Sequence, residues 1–228
     1  MKVCMLAEML PPASVTAFAP VAPAFAVAPR TNEPIKPIEA PKVKDPKKVE
    51  LGKRLFFDPR LSKSGFISCN SCHNLSLGGT DNLPTSVGDH WQQGPINAPT
   101  VLNSSLNIAQ FWDGRATGLE GQALGPIQNP IEMDHKLDDC VSKLNKIPGY
   151  KQQFQKIFGT DVTSENIAKA IASYERTLIT PNSAYDRYIK GDKKALNRQA
   201  SEGLELVTKL GCTGCHNGIN FAGPSLPT

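Results

Sequence analysis

Two pentapeptides constrain this chain more than any other feature: Cys69-Asn70-Ser71-Cys72-His73 and Cys212-Thr213-Gly214-Cys215-His216. Each reads C-x-x-C-H, the attachment signature of a c-type haem. Two thiols three positions apart reach the two vinyl groups on one porphyrin edge and form thioethers. The following His then lies under the iron and binds it through imidazole nitrogen. A four-Cys zinc site needs its pairs closer together; here about 140 residues separate them. A thioredoxin-like redox pair needs a βαβ setting that neither motif has. The pattern predicts two covalently bound haem c groups, held by Cys69, Cys72, Cys212 and Cys215, with His73 and His216 as iron ligands.

Covalent attachment implies maturation outside the cytoplasm, so these four thiols are not a disulfide framework. Of the other cysteines, Cys4 lies in the leader region. Cys140 shares a helical face with Leu137, Val141 and Leu144 and reads as a core thiol. Residues 1–28 read as an unusual export signal, with Lys2 as the early positive charge and small-x-small cleavage options near Ala26 and Ala28. The expected location is the periplasm. Twenty-five basic and 21 acidic residues leave a net charge of +4, too mild to point to nucleic acid. No apolar run is long enough for a transmembrane segment.

Residues 29–44 are rich in Pro and Lys and read as an extended linker with little to bury. Asp45-Pro46 caps a helix through Val49, Gly52, Leu55 and Phe56, stopped by Pro59. A matching helix runs through Ala200, Gly203, Leu204 and Val207 to Leu210. In each, a glycine opens a helical face for another helix to cross. Helix, C-x-x-C-H, then Asn (Asn74, Asn217) occurs twice, an internal repeat. Between the copies, periodicity marks helices at Leu137–Leu144, ended by Pro148, at Tyr150–Phe158, ended by Gly159, and at Ile167–Leu178, capped by Thr163 or Ser164. Residues 74–97 form a long loop of the kind that carries function. The fold class is mainly α: two tandem cytochrome c-like haem domains, the first over 45–192 and the second over 193–228.

The runs CNSCHNLSLGGTD, PTSVGDHWQQGP, NAPTVLNSSLNIAQFWDGRA, GPIQNPIEM and TLITPNSAYDRYIKGD resemble the bacterial dihaem cytochrome c peroxidases, in one order from about Leu51 to Asn220. The methylamine-utilisation dihaem enzymes are more distant relatives with the same haem motifs. The resemblance implies reduction of hydrogen peroxide at the first haem. Electrons would come from a small periplasmic cytochrome c or copper protein through the second haem. It implies His73 as proximal ligand of the first iron and His216 of the second, Glu132 as the distal proton-shuttling carboxylate and Gln122 as its polar neighbour. Trp112 would be the aromatic between the haems, and Asn97 a ligand of an interdomain calcium. A homodimer is a further expectation.

Two departures stand out. The family's distal His position is Asp89 here, and His90 follows. His90 reads either as the displaced iron ligand or as a solvent-exposed His beside Trp91. His135 has no match and is expected to be exposed. Twelve residues follow His216 and none is Met, so the second domain is expected to be incomplete, without its axial Met. The other readings are a non-enzymatic dihaem electron-transfer cytochrome and an inactive truncated remnant.

Overall fold

The computed structural model describes residues 33–221; the segment expected to be an export signal, with Cys4, lies outside the described residues. Eight α-helices carry this part: α1 (Pro46–Phe56), α2 (Cys69–Cys72), α3 (Leu119–Gln128), α4 (Leu137–Asn145), α5 (Pro148–Phe158), α6 (Ser164–Glu175), α7 (Ala184–Ile189) and α8 (Arg198–Lys209). The extended pairings among the described residues are isolated bridges, so the class is mainly α, as expected.

Helix α1 begins where Asp45 accepts from the Lys48 N–H and Pro46 occupies the first turn. It buries Leu51, Gly52, Leu55 and Phe56 on one face. That face crosses α6. A Cβ built on Gly52 would lie 1.9 Å from the Ala170 carbonyl oxygen, so only glycine permits the approach. Below the crossing, Leu51, Leu55, Ile127, Cys140, Leu144, Phe154, Ile167 and Ile171 form the core. Above it, Phe56 packs edge-on against Tyr174 with centroids 5.4 Å apart, and Cys69 and Leu75 close over this second cluster. The crossing of α1 and α6 is thus the floor on which the first thiol pair stands.

Asp58 fastens α1 to α5. Its buried carboxylate accepts from both the Arg60 guanidinium and Tyr150 Oη, the latter at 2.5 Å. These donors hold its pKa below the ordinary carboxylate value even though burial works the other way.

Three expectations are corrected. Pro148 does not merely end α4; it opens α5 at the first-turn position where its missing N–H costs nothing. Helix α6 ends at Glu175 and does not reach Leu178. The described part of the linker is not without buried contacts. It is extended, but Ile35 is buried and pairs with Gly218, Tyr185 Oη donates to the Ile35 carbonyl at 2.9 Å, and Ile38 N–H donates to Asp186. The arm therefore ties α7 to the segment after the second motif.

Candidate haem site around Cys69, Cys72 and His73

Ser68 and Ser71 form a capping box that starts the single turn of α2, and this turn fixes the spacing of the two thiols. Both are half-buried. Burial pushes the Cys69 thiol far up, and Glu175 adds to it. Cys72 also rises by burial, with Asp81 and Glu132 contributing and the Ser86 hydroxyl opposing. Both sulfurs are thus held as neutral thiols.

His73 closes α2 and its ring is aimed by a neighbouring loop. Nδ1 lies 3.0 Å from the Pro99 carbonyl oxygen, which must accept from an Nδ1–H. The carbonyl is held in place because Thr80 Oγ1 donates to Ala98 O and Val101 N–H donates to Gly79 O on either side of it. This fixes the tautomer with Nε2 free as a lone-pair ligand. Desolvation lowers the His73 pKa and keeps the ring neutral. Two neutral thiols, one oriented neutral imidazole and an adjoining half-buried carboxyl make a donor set that fits a c-type haem. Four side-chain oxygens are buried and unpaired among the described residues, on Asp81, Ser86, Ser104 and Glu175. Asp81 and Glu175 act by charge on the motif's own residues, and the Ser86 hydroxyl faces the Cys72 thiol.

Glu132 stands in the turn after α3. Ile127 and Met133 anchor that turn in the core, and Met133 N–H donates to Pro126 O and Asn129 O. Asn129 Nδ2 donates to Glu132 Oε1 at 2.6 Å. Burial raises the Glu132 pKa, while Asn129 and Arg115 pull against it. The side chain is half-buried, close enough for its charge to act on Cys72. Gln122, on α3, is half-buried.

The loop carrying Trp112 closes where Gln110 N–H donates to Ala116 O at 2.7 Å. Phe111 turns inward onto Gly125, where a Cβ would meet its ring at 3.0 Å, and Arg115 stacks on the same ring at 3.5 Å. Trp112 turns outward and is 62% exposed. Its Nε1–H donates to the Asn97 carbonyl at 3.1 Å. Both residues line an open groove of about 480 Å³ with Thr80, Pro84 and Pro99, next to the His73 loop.

His90 is 63% exposed, and its Nε2 lies 3.9 Å from buried Asp89 Oδ2. Asp89, His90 and Asp134 bring three donor atoms within 4.8 Å of one another, but Lys63 Nζ occupies Asp134 at 2.6 Å and Ser64 donates to Asp89. His90 and Trp91 both have left-handed backbones, with φ of 53° and 61°. Asp89 N–H donates to Glu132 O at 2.6 Å, so this loop and the Glu132 turn share a main-chain contact. His135, expected to be exposed, is 5% exposed; its Nδ1 sits 3.0 Å from Leu61 O, which packs the same turn against the core.

At the second motif Cys212–Gly214 form a 3-10 turn, and Cys212, Cys215 and His216 are exposed. The preceding helix α8 buries no residue among those described. The donor set matches the first; the enclosure does not.

Reading residues by motif left out Glu175, Asp81, Ser86 and Arg115. For Glu175 a signal was there: it lies four residues after Ile171, on the apolar face of α6.

A family model described as di-haem cytochrome c peroxidase matches residues 46–194. The chain is 57% identical over 195 residues to the cytochrome c551 peroxidase of Nitrosomonas europaea, covering 85% of this chain and 58% of that protein. It is 55% identical over 178 residues to the cytochrome c551 peroxidase of Pseudomonas aeruginosa, covering 76% and 51%. Among solved structures, a MauG-like protein associated with microbial copper homeostasis superposes with a TM-score of 0.72 at 28% identity, covering 83% of this chain and 61% of that one. The chain thus spans about half the length of the curated relatives it matches.

Proposed function

Because this chain belongs to the di-haem cytochrome c peroxidase family, we propose that it reduces hydrogen peroxide to water at a haem held by Cys69, Cys72 and His73. The observation that carries the reading is Glu132: a half-buried carboxyl of raised pKa, fixed by Asn129 and electrostatically coupled to the thiol of Cys72. Haem, when bound, supplies the iron that takes the peroxide oxygen and passes on electrons. The chain's residues supply the rest. His73 presents Nε2 to the metal because Pro99 holds Nδ1–H. Glu132 accepts the proton of the inner peroxide oxygen and returns it to the outer one, which leaves as water. The balance is one peroxide, two protons and two electrons to two waters. Gln122 is proposed as a polar neighbour of Glu132. Its helix contributes Gly125, which admits the ring of Phe111 and so seats the loop carrying Arg115.

Electrons are proposed to arrive one at a time from a small cytochrome c or a cupredoxin in the periplasm. Cys212, Cys215 and His216 would hold a second haem, which would supply the relay, and Trp112, whose indole is fixed in the groove by the Asn97 carbonyl, is proposed as the aromatic between the two sites. Asn97 is also the proposed calcium ligand. His90 is proposed as the residue that closes the first iron in the resting chain. The strain held in two successive left-handed residues, His90 and Trp91, favours movement of that loop.

Replacing Glu132 by Gln in the haem-loaded chain is expected to cut peroxide turnover about 10²-fold while cyanide still shifts the Soret band as in the wild type. Unchanged turnover removes Glu132 from the mechanism. A Soret band that cyanide never moves, at any reduction level, identifies a closed electron-transfer cytochrome instead.

A further inference from the structure

The last residue of α6 is an acid placed where an apolar side chain would pack. Glu175 is 5% exposed. It shares a stripe of α6 with Ala168, Ile171 and Ala172, all buried. Its Oε2 is shut off from solvent and has no hydrogen-bond partner among the described residues. Arg176, next in sequence, turns its guanidinium to Glu120 on α3 at 2.8 Å. The charged and titratable groups that act on or with Glu175 are therefore Arg176 on its own helix end, Glu120 on α3 and Cys69 on α2. Burial and the Glu120 charge outweigh Arg176, and the carboxyl is pushed up to about 8.

The rest of this stripe of α6 is apolar, and a buried carboxyl oxygen left without a partner is destabilising. Its ionisation is the property an apolar residue would lack. Among the described haem-motif residues its charge acts on Cys69, the first of the two thiols proposed to tie down the porphyrin. Once a thioether forms, Cys69 no longer titrates, and the group left to feel Glu175 is the haem. A charge that appears or disappears there acts on the carboxyl through a dry, weakly screening interior.

We propose that Glu175 is a redox-linked proton acceptor of the first haem: over the pH range in which it is ionised while that haem is oxidised, its carboxylate takes up one proton from solvent when the haem gains an electron and releases it when the electron leaves. Charge balances in each direction, since one electron and one proton enter or leave together. The peroxide reaction needs two of each, so Glu175 gives the site a proton store separate from Glu132. The proposal deepens the peroxidase reading and rests on haem being attached at Cys69 and Cys72.

The test follows the midpoint potential of the first haem with pH in the haem-loaded chain, in wild type and in Glu175→Gln. The wave is assigned by its absence when Cys69 and Cys72 are both replaced by Ala. In the wild type the reduction equilibrium is expected to change by up to tenfold per pH unit across the titration of Glu175, about 59 mV. Glu175→Gln is expected to be flat over the same window. Redox-difference infrared spectra of the wild type, which need no variant, are expected to show a carboxylic acid carbonyl band that grows on reduction. A flat wild-type profile, an unchanged slope in the Gln variant, or a missing carbonyl band each overturns the proposal. Unmodified thiols at Cys69 and Cys72, read by mass spectrometry of the same sample, overturn the haem reading itself and are distinct from a loaded haem with a flat profile.

Discussion

The two C-x-x-C-H turns differ in what stands behind them. The first rests on the crossing of α1 with α6, where Gly52 lets the Ala170 carbonyl come within 1.9 Å of the place a Cβ would take. Its His is aimed by Pro99, and its thiols are half-buried. The second follows α8, which carries an equivalent glycine, Gly203, and among the described residues nothing comes within 4 Å of the place a Cβ would take there. Its Cys and His side chains are exposed. A pentapeptide thus fixes a local turn and a ligand spacing, while enclosure comes from a helix far away in sequence. In the first unit that helix begins 91 residues after Cys72 at Thr163, its cap.

The comparison can be broken at the glycines. Gly52→Val is expected to destabilise the first unit by at least about 3 kcal/mol, because a main-chain carbonyl of another helix cannot move aside as a side chain can. Gly203→Ala is expected to be neutral or to stabilise α8 by up to about 1 kcal/mol through helix propensity. Chemical denaturation of both variants measures this; equal losses would mean that α8 is also crossed.

A smaller effect is expected at Asp58. Asp58→Ala strands the buried Tyr150 hydroxyl and half-frees Arg60, for a cost of about 2 kcal/mol. Because the Asp58 pKa is lowered in the folded chain, its contribution is present above the unfolded carboxylate value and is lost as pH falls through the folded one. The wild type should therefore lose more stability than Asp58→Ala on acidification, as read by denaturation midpoints at descending pH.

Glu175 runs the opposite way. Its folded pKa is raised, from 4.5 to about 8. Between those values the unfolded chain ionises and the folded one does not. Stability should fall as pH rises through that window, by at most about 1.4 kcal/mol per pH unit, and level off above it. Glu175→Gln should remove that slope in the same titration.

The smallest effect belongs to the second region. Leu210→Ser, at the exposed C-cap of α8, is expected to change stability by no more than about 0.5 kcal/mol. A loss of several times that would show that this face is covered.

Much of the fold is legible in the sequence. Asp45-Pro46, Gly159 and Thr163 are strong stop and start signals, and α1, α5 and α6 begin or end at them. The two C-x-x-C-H turns needed only spacing to be found. Three helices escaped, the first being α2, a single turn too short to show periodicity. Helix α3 reads LEGQALGPIQ, with glycines and Pro126 inside it, and holds through the burial of Leu119, Ala123 and Ile127 rather than through propensity. Helix α7 is six residues long, too short for a periodic pattern. The burial of His135 was not legible either, and that of Glu175 only from its place on the apolar face of α6. His135 and Glu175 are enclosed by elements distant in sequence, the former by the Leu61 turn and the latter by contacts near α2 and α3.

Peptide-resolved mass spectrometry of the exported protein tests the central claim most directly. One haem on the peptide containing Cys69 and Cys72, joined by two thioethers, is the predicted result, with a second on the peptide containing Cys212 and Cys215. Free thiols at Cys69 and Cys72 would contradict it.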